Sequence, residues 1–107
     1  MERVVITGVG AVTPVGNDVP QFWDSLVNGV CGIAPITRFD TADFKVKVAA
    51  EVKGFDPTKY VEPREAKRMD RFCLYALAAA QQAVDQARLT EGTFDPYRTG
   101  VIFGSGV

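Results

Sequence analysis

The sequence contains no histidine and only two cysteines among its 107 residues. Without histidine, the chain cannot form a Ser-His-Asp or Cys-His catalytic arrangement, or an HExxH zinc site, on its own. Cys31 and Cys73 lie far apart in sequence and belong to no CxxC pair, which argues against a metal site. Because no histidine can act as their base, both thiols are interpreted as reduced and unreactive. We therefore expect no histidine-dependent catalytic site and no metal site in this chain, and we expect no cofactor.

The net charge is small, and long apolar runs are absent from the sequence. The 12 basic and 13 acidic residues leave a net charge of −1, which argues against general nucleic-acid binding. No apolar run approaches the roughly 20 residues that a membrane span needs. The first residues lack the long apolar core of a signal peptide, so a cytoplasmic protein is expected. The 47% apolar content fits one small globular domain over residues 1–107, with no internal boundary.

Three segments have the pattern of strands. Residues 4–7 and 99–103 are continuous apolar runs, which predict strands buried on both faces, as in a parallel sheet. Residues 46–53 alternate between valine or alanine and mostly charged side chains, which predicts a half-exposed strand near an edge. Residues 32–36 are predicted to form an extended connector.

Two helices are predicted. The first covers residues 19–28, with Asn17 or Asp18 as its N-cap, Pro20 in its first turn and Gly29 at its end. The second is a long alanine-rich helix over residues 63–88, about 39 Å in length and slim enough to be buried between layers. Two helices are too few to cover both faces of the predicted sheet. The chain is therefore interpreted as the front part of a larger α/β protein.

The turn that begins at Gly8 and Gly10 invites comparison with the dinucleotide-binding motif GxGxxG. However, Thr13 stands at the third glycine position, and Pro14 follows where a helix should already be running. Nucleotide binding is therefore disfavoured, and we expect the glycines to permit close packing of the backbone.

Four cations stand at helical spacing near the start of the long predicted helix. These are Arg64, Lys67, Arg68 and Arg71. On one continuous helix they would share a face, at the end where the helix dipole disfavours positive charge. Such a stripe indicates an acidic partner. Because Glu65 and Asp70 are interleaved, a merely solvated charged face is the alternative.

Several segments, in order, resemble the β-ketoacyl-acyl-carrier-protein synthases. These are residues 3–10 with 13–17, 23–33, 39–40 with 49–55, 67–72, and 100–106. The likeness covers essentially the whole chain and is strongest to the bacterial synthase II branch. The ketosynthase domains of polyketide synthases share much of the pattern and remain an alternative. An isolated, non-catalytic fragment that binds a carrier protein or has a structural role is another, and a ketosynthase-like partner lacking the nucleophile is a third.

The resemblance implies a thiolase-like fold with layers α-β-α-β-α, of which this chain is an incomplete N-terminal portion, and a homodimer in the complete enzyme. It implies decarboxylative Claisen condensation of an acyl group with malonyl-acyl carrier protein. The family's nucleophilic cysteine and its two histidines lie beyond the position of residue 107, so the resemblance implies that this chain carries no catalytic residue. The family's docking surface for acidic acyl carrier protein corresponds here to Arg64, Lys67 and Arg68.

Val107 is a candidate for lining the acyl pocket. It directly follows a predicted buried strand and the loop Gly104-Ser105-Gly106, and ligand sites of α/β sheets gather beyond the carboxyl ends of strands. The resemblance implies an apolar residue near the acyl chain at this position. A core valine that only packs is the alternative.

Overall fold

The computed structural model describes residues 1–106 and divides the chain into two compact units. The hairpin unit is Ala11–Asp56. The long-helix unit combines Met1–Gly10 with the chain from Pro57 onward. These units are groups of residues in mutual contact and do not by themselves define domains. The absence of a domain boundary within residues 1–107 therefore stays a prediction.

The first helix of the hairpin unit, α1, is Val19–Val27. Asp18 is its N-cap, and the Asp18 carboxylate accepts a hydrogen bond of 2.8 Å from the Gln21 amide. At the other end, Gly29 has φ = 67°, its amide donates to Leu26, and the Val30 amide donates to Ser25. This pair of bonds is a Schellman ending, which explains the glycine at that place. The predicted helix and its caps are confirmed.

A two-stranded antiparallel sheet completes this unit. Strand β1 (Ile33–Pro35) pairs with β2 (Val48–Ala50), with Ala34 opposite Ala49. The segment predicted as a connector is therefore a strand, and the strand predicted over residues 46–53 is shorter than expected. The valine side of β2 is the exposed one, whereas Ala49 and Glu51 are partly shielded.

Lys53 links three parts of the hairpin unit through its ammonium group. Its Nζ lies 3.5 Å from the Pro14 carbonyl oxygen, 3.4 Å from that of Gly32 and 3.1 Å from that of Glu51. The Lys53 carbonyl in turn accepts a 2.8 Å hydrogen bond from the Asn17 side-chain amide. The turn before α1 is therefore bonded to both the side chain and the backbone of Lys53.

The long-helix unit begins with a 3₁₀ helix, Pro57–Lys59, followed by α2 (Pro63–Ala66) and α3 (Arg71–Ala87). The continuous helix predicted over residues 63–88 is wrong. Asp70 has φ = −68° and ψ = 155°, an extended conformation that ends the helical path. Asp70 is the N-cap of α3, a position that aspartate favours over a helix interior, although its side chain makes no capping hydrogen bond here. Like charges spaced three and four residues apart also disfavour a single helix, by roughly 0.2–0.5 kcal/mol per pair.

Helix α3 packs against the segment that contains Gly8 and Gly10. A methyl group at Gly8 would overlap the Ala83 carbonyl oxygen, and one at Gly10 would overlap that of Ala79. The Val9 amide between them donates a 2.7 Å hydrogen bond to Gln86 Oε1. The prediction that these glycines permit close backbone packing is confirmed.

The two segments predicted as fully buried strands are not strands within residues 1–106. Val4 and Ile6 are 95% and 86% exposed, and Ile102 is 97% exposed. A strand needs a hydrogen-bonded neighbour, and the described residues supply none to either segment. The parallel sheet and the burial of the long helix between layers are likewise not formed here. The buried apolar side chains among residues 1–106 are Leu74 and Ala78, both on α3.

A second 3₁₀ helix, Pro96–Arg98, follows α3. None of the helices in the described part of the chain has the length and apolarity needed to cross a bilayer.

Candidate functional site

Three of the four predicted cations lie together on one short helical segment. Arg64 is in α2, Lys67 is its C-cap, and Arg68 follows. Helical hydrogen bonding continues past α2, because the Arg68 amide donates to Glu65 (2.9 Å) and the Met69 amide to Ala66 (3.4 Å). Side chains three or four residues apart on such a segment lie on the same side. We call Arg64, Lys67 and Arg68 the cationic turn.

Arg71 is separated from the cationic turn by the extended residue Asp70, and it is the first residue of α3. The four-residue face predicted from the spacing is therefore reduced to three residues. The helix dipole acts differently on the four cations. Lys67 and Arg68 stand at the carboxyl end of α2, where positive charge is favoured, whereas Arg64 lies in the first turn of α2 and Arg71 in the first turn of α3.

The side chains of the cationic turn have no partner among residues 1–106. All three residues are exposed, and none makes a side-chain hydrogen bond or ion pair there. By contrast, Arg38 and Glu51 do form an ion pair, with their charged atoms 3.6 Å apart. Because Glu65 does not neutralise its neighbours, the like charges repel one another uncompensated. The arrangement leaves three charged donors open to an external anion.

Local charge differs in sign from the charge of the chain. Residues 57–71 contain five cations and three carboxylates, a net charge of +2, whereas the chain as a whole has −1. An acidic partner would thus be attracted to this segment specifically.

The cysteines offer no competing site. Cys31 is exposed, and its Sγ is 3.9 Å from the Ile33 carbonyl oxygen; Cys73 is partly buried on α3. Both are free thiols. No group of three or more potential metal ligands is brought together within residues 1–106.

Val107 lies outside the described residues. Among the described residues, an apolar cavity of about 530 Å³ lies at the end of α3, and its lining includes Val84, Leu89, Phe94 and Val101. Almost no polar atom faces this cavity, so nothing in it could orient a ligand for chemistry.

Comparison with known proteins decides the family. The sequence model of the family described as "Beta-ketoacyl synthase, N-terminal domain" matches residues 1–107, the whole chain. The chain belongs to the beta-ketoacyl synthase family. Within it, the chain is similar to 3-oxoacyl-[acyl-carrier-protein] synthase 2 of Synechocystis, with 46% identity over 106 residues. It is also similar to the enzyme of that name from Staphylococcus aureus, with 48% identity over 108 residues.

Each of these alignments covers 99% of this chain but only 26% of the relative. The chain thus spans about a quarter of the length of the beta-ketoacyl synthases that it matches.

Solved structures of ketosynthases are similar as well. The ishigamide ketosynthase/chain length factor aligns with a TM-score of 0.72 and 41% identity, over 81% of this chain and 22% of that one. A second structure is a complex of a type II polyketide synthase acyl-carrier protein with its ketosynthase, bound to the hexaketide. It aligns with a TM-score of 0.62 and 27% identity, over 86% of this chain and 24% of that one. These neighbours fit the predicted thiolase-like fold at the level of the family.

Proposed function

We propose that this chain is the amino-terminal part of a β-ketoacyl-acyl-carrier-protein synthase that elongates fatty acyl chains. The observation that carries the proposal is the match of the family model to residues 1–107. The 46–48% identity to proteins named 3-oxoacyl-[acyl-carrier-protein] synthase 2 supports the fatty-acid branch.

The proposed reaction is a decarboxylative Claisen condensation in two stages. A cysteine thiolate of the complete enzyme attacks the acyl thioester and displaces the carrier thiol. Loss of CO₂ from malonyl carrier protein then leaves a carbanion equivalent, which attacks the acyl-cysteine and expels the cysteine thiolate. Two histidines stabilise the negative charge that develops on oxygen during these steps. None of these groups belongs to this chain, which has no histidine and no cysteine in the family's nucleophile motif.

The part of the function assigned to this chain is recognition of the carrier protein. Acyl carrier protein is acidic, and the cationic turn offers three exposed, unpartnered donors. Complementary charge of this kind steers diffusional encounter and orients the docked partner.

Charge reversal in the complete enzyme tests the docking role. Lys67→Glu combined with Arg68→Glu is expected to raise the KM for acyl carrier protein substrates at low salt and to reduce its salt dependence. Acylation by a small carrier-free thioester should stay near the wild-type rate. Lys45→Glu combined with Arg98→Glu is the matched control, because both are exposed cations outside residues 57–71 and the total change in charge is the same. Normal use of carrier protein by the double variant at low and moderate salt would reject the role.

A second candidate is the ketosynthase of a polyketide pathway. It is favoured by the two structural neighbours, whose titles name a ketosynthase/chain length factor and a type II polyketide ketosynthase complex. Product analysis separates the two. With acyl and malonyl carrier proteins and no reductase, one condensation per acyl chain supports fatty-acid elongation, and repeated condensation supports the polyketide reading. A partner lacking the nucleophile, or a non-catalytic fragment, would not become acylated.

The same proposal includes the finer architecture. The α-β-α-β-α layering and a homodimer of the complete enzyme would cover the apolar segments that are exposed in residues 1–106. A cytoplasmic location is also proposed. It is supported by the free thiols of Cys31 and Cys73, since reducing compartments keep thiols unpaired.

A further inference from the structure

Lys59 stands next to the cationic turn in the fold, although the helical spacing of the sequence does not include it. It is the last residue of the 3₁₀ helix Pro57–Lys59, and this helix contacts α2, where Arg64 lies. Because these two elements are in contact, Lys59 lies in the same part of the long-helix unit as Arg64, although it is outside the helix predicted from the sequence.

The backbone around Lys59 is held in place. The amides of Tyr60 and Val61 each donate a 3.0 Å hydrogen bond to the Pro57 carbonyl, which extends the turn beyond Lys59. The Tyr60 hydroxyl accepts a 3.2 Å hydrogen bond from Gln82 of α3. Successive residues of a 3₁₀ helix point about 120° apart. With partly buried Tyr60 directed to α3, the exposed Lys59 side chain is free to meet solvent.

Lys59 also lacks an internal partner. No hydrogen bond or ion pair of its side chain is formed within residues 1–106, as for the three residues of the cationic turn. The segment 57–69 then carries four cations against Glu62 and Glu65. Its net charge of +2 comes from two packed elements rather than from one helix face.

We propose that Lys59 is a fourth residue of the carrier-docking surface and that it accelerates encounter with the acidic carrier protein. This inference rests on the proposed function of the cationic turn. An exposed charge at the edge of an interface acts mainly on the association rate and its salt dependence, rather than on dissociation. Lys59 is accordingly a specificity residue and takes no part in the chemistry.

The test measures the association rate constant of the complete enzyme with acyl carrier protein at about 20 mM and about 500 mM salt. Lys59→Glu should slow association by about fourfold at low salt, as expected for reversing a unit charge about 10 Å from a partner charge in water. The difference should nearly vanish at high salt. Lys59→Gln should give about half of the effect on a logarithmic scale, and Lys59→Arg should behave as wild type.

Arg98→Glu is the matched control. Arg98 is likewise an exposed cation at the last position of a three-residue 3₁₀ helix, but that helix follows α3, which is about 25 Å long. If Arg98→Glu slows association as much as Lys59→Glu does, the effect is one of total charge and the inference is overturned.

The remaining outcomes separate this inference from the proposed function. If Arg68→Glu slows association and Lys59→Glu does not, Lys59 lies outside the docking surface and the cationic turn keeps its role. If neither variant changes the rate, both proposals are rejected. An unchanged melting temperature of each variant verifies that the comparison is made between folded enzymes.

Discussion

Gly8 lies so close to the backbone of Ala83 that it has no room for a side chain, because a methyl group at Gly8 would overlap the Ala83 carbonyl oxygen. Gly10 meets Ala79 in the same way, so the segment runs antiparallel to α3. Two residues of an extended chain cover about 6.6 Å and four residues of a helix cover about 6 Å. This match of spacings lets both glycines contact the same helix.

Gly8→Ala is expected to destabilise the protein by roughly 1–3 kcal/mol or more, because the added methyl group meets a backbone carbonyl that cannot rotate away. Gly10→Ala should have a similar effect. The measurement is the free energy of unfolding from denaturant titration. Gly100→Ala serves as control, since a Cβ at Gly100 meets nothing within 4 Å among residues 1–106. Equal stability of the Gly8 and Gly100 variants would contradict the packing.

Sequence signals predict an element well where its structure depends on residues within one helical turn. The Asp18 cap, Pro20 and Gly29 predicted α1 almost to the residue, because capping acts within one turn. The break at Asp70 was missed, since four well-spaced cations and an alanine-rich continuation imitate one helix. The cationic residues themselves were found from their spacing, whereas Lys59 joins them only through contact between two elements. Residues 4–7 and 99–103 have the composition of strands but no hydrogen-bonded neighbour strand among residues 1–106, and a local pattern cannot supply one.

Arg88 is the non-glycine residue with positive φ in the described chain, at φ = 55°. Its amide donates to Asp85 and the Leu89 amide donates to Val84, which is a Schellman ending for α3. A left-handed conformation costs a residue with a Cβ roughly 1–2 kcal/mol. Glycine avoids this cost but has a more flexible unfolded state. Arg88→Gly should therefore raise the free energy of unfolding by up to about 1 kcal/mol, and Arg88→Val should lower it. A higher free energy of unfolding for Arg88→Val than for Arg88→Gly, measured by denaturant titration, would contradict this explanation.

Glu51 predicts a pH dependence of stability. Its carboxylate accepts hydrogen bonds from the Thr37 amide (2.7 Å) and the Thr37 hydroxyl (2.8 Å), and its side chain is 13% exposed. These bonds, helped by the charges of Arg38 and Lys53, hold the pKa of Glu51 below its ordinary value of 4.5, although desolvation opposes the shift. Because the pKa of Glu51 is lower in the folded state than in the unfolded state, its ionised carboxylate stabilises the fold at pH values above the unfolded-state pKa. That contribution is lost as the pH falls below about 4.5 and through the folded pKa.

Unfolding of wild type and Glu51→Gln from pH 7 to pH 3 measures this contribution. The stability difference between them should be constant near neutral pH and should shrink as the pH falls below 4.5. In a Thr37→Ala background the change with pH should be smaller, because one of the two donors is removed. A difference that grows toward acid pH would show that the sign of the shift is wrong.

Val107 provides the last prediction, which rests on the sequence and the family resemblance. If its side chain lines the acyl pocket of the complete enzyme, Val107→Phe should suppress transfer of long acyl chains and spare short ones, because added bulk limits depth and leaves the chemistry intact. If it only packs in a core, the larger ring should cost roughly 1–3 kcal/mol of stability and reduce activity for all chain lengths alike. Measuring kcat/KM over a series of acyl lengths, together with the melting temperature, distinguishes the two. Val107→Leu is the control, since a smaller increase in volume should move the cutoff less. A uniform loss of activity with a lowered melting temperature would reject the pocket role.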